Sequence, residues 1–255
     1  MGEPYPKLHA QNLTRTFGRA PHPVEALGPL DLTVATGESV CLVGPSGCGK
    51  STLLRIAAGL LRPSTGTLEI RTSSPRPAAM IFQDYGIYDW KTVRANVRFG
   101  LDILRVPRRE ANARADAWLA RTGLADFAHA YPATLSGGMR QRVAIARALT
   151  VEPELLLMDE LFAALDAQLR TILQDELLEL AQTTSTTTLF ITHSLEEALV
   201  LGDRVLVMSA RPGRIIAEHR PPFPRPRTGD IRSTPEFTAL RSELWDLLRE
   251  EATPA

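Results

Sequence analysis

The chain has little that could staple it covalently or anchor it in a bilayer. Its 255 residues include two cysteines, Cys41 and Cys48; a disulfide framework is thereby excluded and a reducing compartment expected. No run of 18 apolar residues occurs, and the start, Met1-Gly-Glu-Pro-Tyr-Pro6, lacks a basic segment followed by an apolar one. Neither a membrane-spanning helix nor an export signal is expected. Excess charge is missing too: 29 basic side chains face 29 acidic ones, which excludes a globally basic nucleic-acid binder and an acidic disordered tail. With 44% hydrophobic residues the length suits one large domain, or two subdomains sharing a core, without metal or disulfide support. No internal repeat is present.

What the sequence does contain is an alternation of β and helical patterns, the mark of an α/β fold with a largely parallel sheet. The alternating stretches Lys7–Phe17 and Pro29–Ala35, separated by the turn-rich Gly18-Arg-Ala-Pro-His-Pro23, predict an antiparallel flank. Further strands are expected at Ser39–Val43, Thr67–Ile70, Ala78–Phe82, Leu155–Met158, Thr187–Thr192 and Val205–Ser209. Helices are expected at Lys50–Leu60, Thr92–Leu104, Arg108–Arg121, Leu165–Ala181, Leu195–Leu201 and Pro235–Glu250. The two helices between residues 92 and 121 form an insertion with no strand signal. Pro221–Pro226 is too rich in proline and arginine for regular structure.

Between the strand Ser39–Val43 and the helix at Lys50 lies Gly44-Pro-Ser-Gly-Cys-Gly-Lys-Ser-Thr52, which satisfies the P-loop spacing in the strand–loop–helix context the motif requires. Glycines let backbone N–H groups turn toward phosphate oxygens, the helix N-terminus adds positive dipole, Lys50 reaches the terminal phosphates, and the Ser51 hydroxyl can ligate Mg²⁺. A second element is the apolar strand Leu155-Leu-Leu-Met158 ending in Asp159-Glu160. Asp159 suits Mg²⁺, and Glu160 suits the water that attacks a γ-phosphate; two acids capping the next helix is the alternative for this pair alone. Cys48 is a P-loop filler or, less plainly, a low-pKa thiol at a helix N-terminus, and Cys41 belongs to a buried strand.

Leu135-Ser-Gly-Gly-Met-Arg-Gln-Arg142 then opens a helix with a Gly-Gly pair, another phosphate-ready N-terminus. With this element the chain resembles the ATPase subunits of ATP-binding cassette (ABC) transporters over nearly its whole length. The matching elements follow in order: Phe17, the P-loop, Gln83 after a strand, the Leu-Ser-Gly-Gly signature, Asp159-Glu160, Ala164-Leu-Asp166, and His193 after the strand ending at Thr192. The resemblance implies a P-loop NTPase fold of the ABC-ATPase type, a mixed core sheet with an antiparallel β flank and an inserted helical subdomain. It divides the chain into a RecA-like core with the β flank (1–84 and 151–220), a helical subdomain with the signature (85–150), and a C-terminal tail and helix (221–255).

The same resemblance implies that ATP and Mg²⁺ are bound by two copies arranged head to tail. Gly44, Pro45, Ser46, Gly47, Cys48, Gly49, Lys50, Ser51 and Thr52 of one copy and Ser136, Gly137 and Gly138 of the other would hold one ATP. Phe17 would stack on adenine; Ser51, Gln83 and Asp159 would serve the metal; Glu160, His193 and Gln83 would be catalytic. Implied partners are integral membrane permease subunits and, indirectly, a periplasmic or lipid-anchored solute-binding protein, with no nucleic acid. The implied location is peripheral, on the cytoplasmic side of the plasma membrane. A finer likeness, carried by Phe82-Gln-Asp-Tyr-Gly-Ile-Tyr-Asp-Trp-Lys-Thr-Val-Arg-Ala-Asn-Val97 and by Ser209-Ala-Arg-Pro-Gly-Arg-Ile215 with the later Arg225-Pro-Arg227, Pro235-Glu-Phe237 and terminal helix, is to the branch importing nitrate, taurine and aliphatic sulfonates. That branch lacks a C-terminal regulatory domain, in keeping with the length. Three positions depart from the family: Leu161 replaces Pro after the catalytic Glu, Ser194 replaces Asp after the His, and Asp89 replaces Pro before Trp90. The Arg-rich 211–232 stretch is expected to be a solvated or subunit-packing surface rather than a lipid or nucleic-acid site.

Overall fold

The computed structural model of the chain describes residues 6–18, 21–72, 78–162, 167–184, 186–224, 227 and 229–252. Its elements run β1 (Pro6–Phe17), β2 (Val24–Ala35), β3 (Ser39–Val43), α1 (Lys50–Ala57), β4 (Thr65–Ile70), β5 (Ala78–Ile81), α2 (Val93–Ile103), α3 (Arg108–Arg121), α4 (Gly137–Leu149), β6 (Leu155–Asp159), α5 (Ala167–Thr184), β7 (Thr187–Ile191), α6 (Leu195–Leu201), β8 (Arg204–Met208), β9 (Ile215–His219) and α7 (Pro235–Ala252). The Ala164-Leu-Asp166 motif and Arg225 lie outside the described residues.

Two sheets form. The first is antiparallel, in the order β2-β1-β4; the second has six strands in the order β5-β6-β7-β3-β8-β9, parallel except for β9. Strands β3, β6, β7 and β8 are buried at every position, as expected of parallel strands covered on both faces. Their side chains divide by the two-residue period. Val40, Leu42, Leu155, Leu157, Leu189, Ile191, Leu206 and Met208 pack toward α1 and the antiparallel sheet, whereas Cys41, Val43, Leu156, Met158, Phe190, Val205 and Val207 pack with residues of α4, α5, α6 and α7. Phe190 meets Phe162 edge-on at 5.7 Å.

The helices α2, α3 and α4 share a small core of their own, built from Val93, Val97, Ala115, Leu119, Leu124, Leu135 and Val143. Helix α4 is apolar on a second face as well, where Ala144, Ile145, Ala148 and Leu149 join the core against the parallel sheet. This double burial ties the C-terminal half of α4 both to the helical layer and to the body of the molecule. Thr92 caps α2 and Ser136 caps α4, each side chain accepting a backbone N–H one turn on.

Three sequence expectations shift. β2 begins at Val24 rather than Pro29; Pro29 is tolerated because β2 is an edge strand on which its missing N–H costs no ladder bond. β9 was not expected, since it is a half-exposed antiparallel edge strand among arginines and prolines. The Arg-rich stretch is not uniformly solvated: Arg227 is buried, and its guanidinium donates to the carbonyls of Leu199 at 3.2 Å, Val200 at 3.4 Å and Gly202, at the C-terminus of α6. A cation there satisfies orphan carbonyls and complements the helix dipole.

Arg227→Ala should therefore lower unfolding free energy by about 2–4 kcal/mol, because buried carbonyls lose a charged partner. Arg220→Ala, at a largely exposed side chain of the same stretch, should change it by less than about 0.5 kcal/mol. Urea unfolding of the two variants checks the contrast.

Candidate functional site

The site is assembled where the parallel strands end. β3 runs into the loop Gly44–Gly49, which turns directly into α1. Gly49 sits at φ +103°, and a Cβ there would approach the Ala26 carbonyl oxygen to 2.5 Å, so glycine is required both for conformation and for space. Lys50 opens α1 and is buried; its Nζ donates to the carbonyls of Gly44 and Pro45, each at 2.8 Å, and lies 3.6 Å from Cys48 Sγ. The ammonium is thus held at the inner side of the loop. Cys48 and Cys41 form no disulfide and are buried, which removes Cys48 as an accessible redox thiol.

Next to Lys50, the Ser51 hydroxyl donates to Asp159 Oδ1 at 3.0 Å across to the tip of β6. Burial pushes the Asp159 carboxyl above its ordinary value, opposed by the Ser51 hydrogen bond. Glu160 follows with φ +51°, a left-handed conformation unusual for a side chain with a Cβ. Its N–H is pinned to the Ile191 carbonyl at 2.9 Å. Its carboxylate is gripped from two sides, by His193 Nε2 at 2.5 Å and by Gln83 Nε2 at 2.9 Å. Elements distant in sequence thereby converge on one carboxylate.

The backbone around His193 is also fixed. Ser194 N–H donates to Thr192 Oγ1 at 3.0 Å, Thr192 is hydrogen-bonded to buried Glu197, and Ser194 Oγ accepts from Glu197 N–H at 3.2 Å as the cap of α6. Serine thus performs the N-capping that the family's aspartate is suited to. Leu161 is buried in the sheet core beside Phe162, and Asp89 sits in the turn before the exposed Trp90.

A cleft of ≈ 430 Å³ opens over these groups. Ser46, Gly47, Gly49, Lys50, Ser51 and Thr52 form one wall; Gln83, Glu160 and His193 close the side under β6 and β7; Phe17, Val24, Ala26 and Arg211 border the side toward the antiparallel sheet. Phe17 is partly exposed, with the Arg15 guanidinium 4.6 Å from its ring centre. Gly44, Pro45, Cys48 and Asp159 lie behind this surface, the first three in the loop's inner turn.

Ser136, Gly137 and Gly138 are not brought to the cleft; they form the free N-terminus of α4 in the helical layer. Arg211 is a wall residue that sequence reasoning did not place. The signal was topological: it follows β8, the strand hydrogen-bonded beside β3, so its loop must emerge next to the P-loop.

The donor set fits a hard divalent cation: a hydroxyl and a carboxylate oxygen already 3.0 Å apart, with the Gln83 amide at the cleft wall. A single protein carboxylate with substrate phosphates is the usual Mg²⁺ environment. Inward-turned loop, buried lysine and paired acids at the carboxyl ends of a parallel sheet define a P-loop nucleoside-triphosphate hydrolase.

Comparison with known proteins narrows this. A profile of the ABC transporter family matches residues 27–163. The nitrate import ATP-binding protein NrtD of Synechocystis is 43% identical over 256 residues, 96% of each chain; the taurine import ATP-binding protein TauB of Roseobacter denitrificans is 41% identical over 239 residues, 89% of each. The dimeric post-hydrolysis state of the ATP-binding cassette MJ0796 bound to ADP and Pi superposes with TM-score 0.77 at 29% identity, covering 85% of this chain and 99% of that one. The chain belongs to the ABC transporter family, as one of its ATPase cassettes. Among the described residues no helix is long and apolar enough to cross a membrane.

The buried Glu197 yields a pH prediction. Burial raises its pKa, opposed by the Thr192 hydrogen bond and by Arg170 and Arg232, with Glu196 adding to the rise. The unfolded chain then releases this proton at lower pH than the folded one, so Glu197 costs stability as pH rises past its unfolded value. Glu197→Gln should gain stability relative to the native chain as pH rises above the ordinary carboxylate range, and the gap in melting temperature should widen over that rise. Melts of the nucleotide-free protein across that range check it.

Proposed function

We propose that this chain is the ATP-hydrolysing subunit of an ABC importer for a small anion such as nitrate, taurine or an aliphatic sulfonate. The observation that carries the enzymatic part is the meeting of Lys50, the Ser51–Asp159 pair and the doubly held Glu160 in one cleft. The import part rests on relatives named for nitrate and taurine import that match almost end to end.

In this reading the triphosphate lies along the P-loop. Loop N–H groups and the N-terminus of α1 face its oxygens, and Lys50 exchanges carbonyl partners for phosphate oxygens. Phe17 offers its ring to the adenine. Mg²⁺, bound by Ser51 and Asp159 with Gln83 nearby, would neutralise charge on the β- and γ-phosphates. Glu160 accepts a proton from the attacking water at its carboxylate; His193 and Gln83 hold that carboxylate in line, and His193 also faces the γ-phosphate.

Ser136, Gly137 and Gly138 stand apart from the cleft in their own chain and complete the site of a second copy, giving a head-to-tail dimer that closes on ATP. The dimeric state of the MJ0796 cassette supports this arrangement. We further assign residues 1–84 and 151–220 to the ATP-binding core, 85–150 to the helical subdomain and 221–255 to the tail. Permease subunits would receive the closing motion on the cytoplasmic side of the membrane, with a solute-binding protein acting beyond them.

Glu160→Gln should reduce steady-state ATP hydrolysis by roughly 10²–10⁴-fold, the range for a lost general base. ATP affinity should be retained, and ATP should convert the variant to a dimer visible by light scattering. Unchanged turnover would remove Glu160 from the base role.

A further inference from the structure

The loop joining β8 to β9, residues 209–214, touches the P-loop and carries one cation to the cleft that the roles above leave unused. It is braced without help from that cation. Gly213 N–H donates to the Ala26 carbonyl and Gly28 N–H to the Gly213 carbonyl, both at 3.1 Å. Ser209 Oγ bonds the Ala210 and Pro212 carbonyls at 3.0 Å, and Ala210 N–H donates to Glu251 of α7 at 2.8 Å. The loop also presses on the P-loop itself, because a Cβ on Gly213 would lie 2.0 Å from the Cys48 carbonyl oxygen.

On this fixed platform Arg211 is exposed and lines the cleft. Its Nη2 and Nε donate to the Gly47 carbonyl at 3.1 and 3.3 Å, leaving most of the fork's five N–H donors for other acceptors. Apart from His193, Lys50 and Arg211 are the cationic residues among the described walls of the cleft. They differ in place. Glu160 and His193 follow β6 and β7 on one side of β3, whereas Arg211 follows β8 on the other, the side bordered by Phe17. A nucleotide with its γ-phosphate toward Glu160 therefore presents its nucleoside-proximal phosphate to Arg211.

We propose that Arg211 binds the α-phosphate of the nucleotide, as an affinity and positioning group from the β8–β9 loop. The inference rests on the ATPase reading above. A guanidinium presents a planar fork of donors that suits phosphate oxygens geometrically. Since ATP and ADP share the α-phosphate, its contribution should be the same for both.

Nucleotide affinities of the Glu160→Gln chain and of its Arg211→Ala and Arg211→Lys derivatives, measured by calorimetry with Mg-ATP and Mg-ADP at protein concentrations where light scattering finds monomers, test this. Arg211→Ala should weaken ATP and ADP by the same factor, roughly 5- to 20-fold for one partly exposed charge-assisted contact. Arg211→Lys should recover part of the loss, and the defect should shrink at high salt. Unchanged affinities would overturn the proposal; so would a loss confined to ATP, which would put Arg211 at the γ-phosphate. A loss that salt does not alter and lysine does not relieve would reduce Arg211 to a brace for Gly47. If the Arg211-intact chain bound neither nucleotide, the ATPase reading itself would fail.

Discussion

β3 is hydrogen-bonded on both sides, and the rest of the site inherits its register. Val40 pairs with Leu189 of β7 and with Arg204 of β8, and Leu42 pairs with Ile191 and Leu206; Asp159 of β6 pairs with that same Ile191. Four strand tips therefore end at one level. The P-loop, Asp159-Glu160, His193 and the Arg211 loop emerge side by side although up to 167 residues separate them in sequence (Gly44 to Arg211). Because these strands are buried on both faces, a one-residue slip would exchange the two cores of the sheet, so packing holds the register against the local cost of the site.

That cost is visible at Glu160, whose left-handed backbone is retained by the Ile191 carbonyl on one side and by the packed Leu161 and Phe162 on the other. The family's proline after this position is replaced by a leucine that contributes burial instead of restraint. Ser194 is a comparable exchange: the hydroxyl keeps the N-cap of α6 and, with Thr192 and Glu197, the backbone that presents His193. The departures from the family pattern leave Glu160 in contact with both His193 and Gln83.

The elements legible in the sequence are those whose chemistry is local. The P-loop was readable because its glycines, lysine and serine are adjacent and lie between a strand and a helix; Gly49's collision with Ala26, in contrast, depends on a strand from the other sheet. The buried runs of β3, β6, β7 and β8 announced a parallel sheet through composition. β9 and the first five residues of β2 did not, because edge strands are selected by one neighbour and little burial. Arginines were the least legible residues. Arg227 inside the fold and Arg211 at the cleft share one basic stretch, and only tertiary placement separates a helix cap from a cleft-lining cation.

One feature of the geometry reaches beyond the single chain: the signature residues Ser136, Gly137 and Gly138 form the N-terminus of α4, away from the cleft of their own copy. If a second copy supplies them, hydrolysis needs two chains. The most direct measurement is ATP turnover per chain with Mg²⁺ as a function of protein concentration. Turnover per chain should rise with concentration and level off as dimers fill. Turnover per chain that is substantial and constant in dilute solution, where light scattering finds monomers with ATP bound, would contradict it.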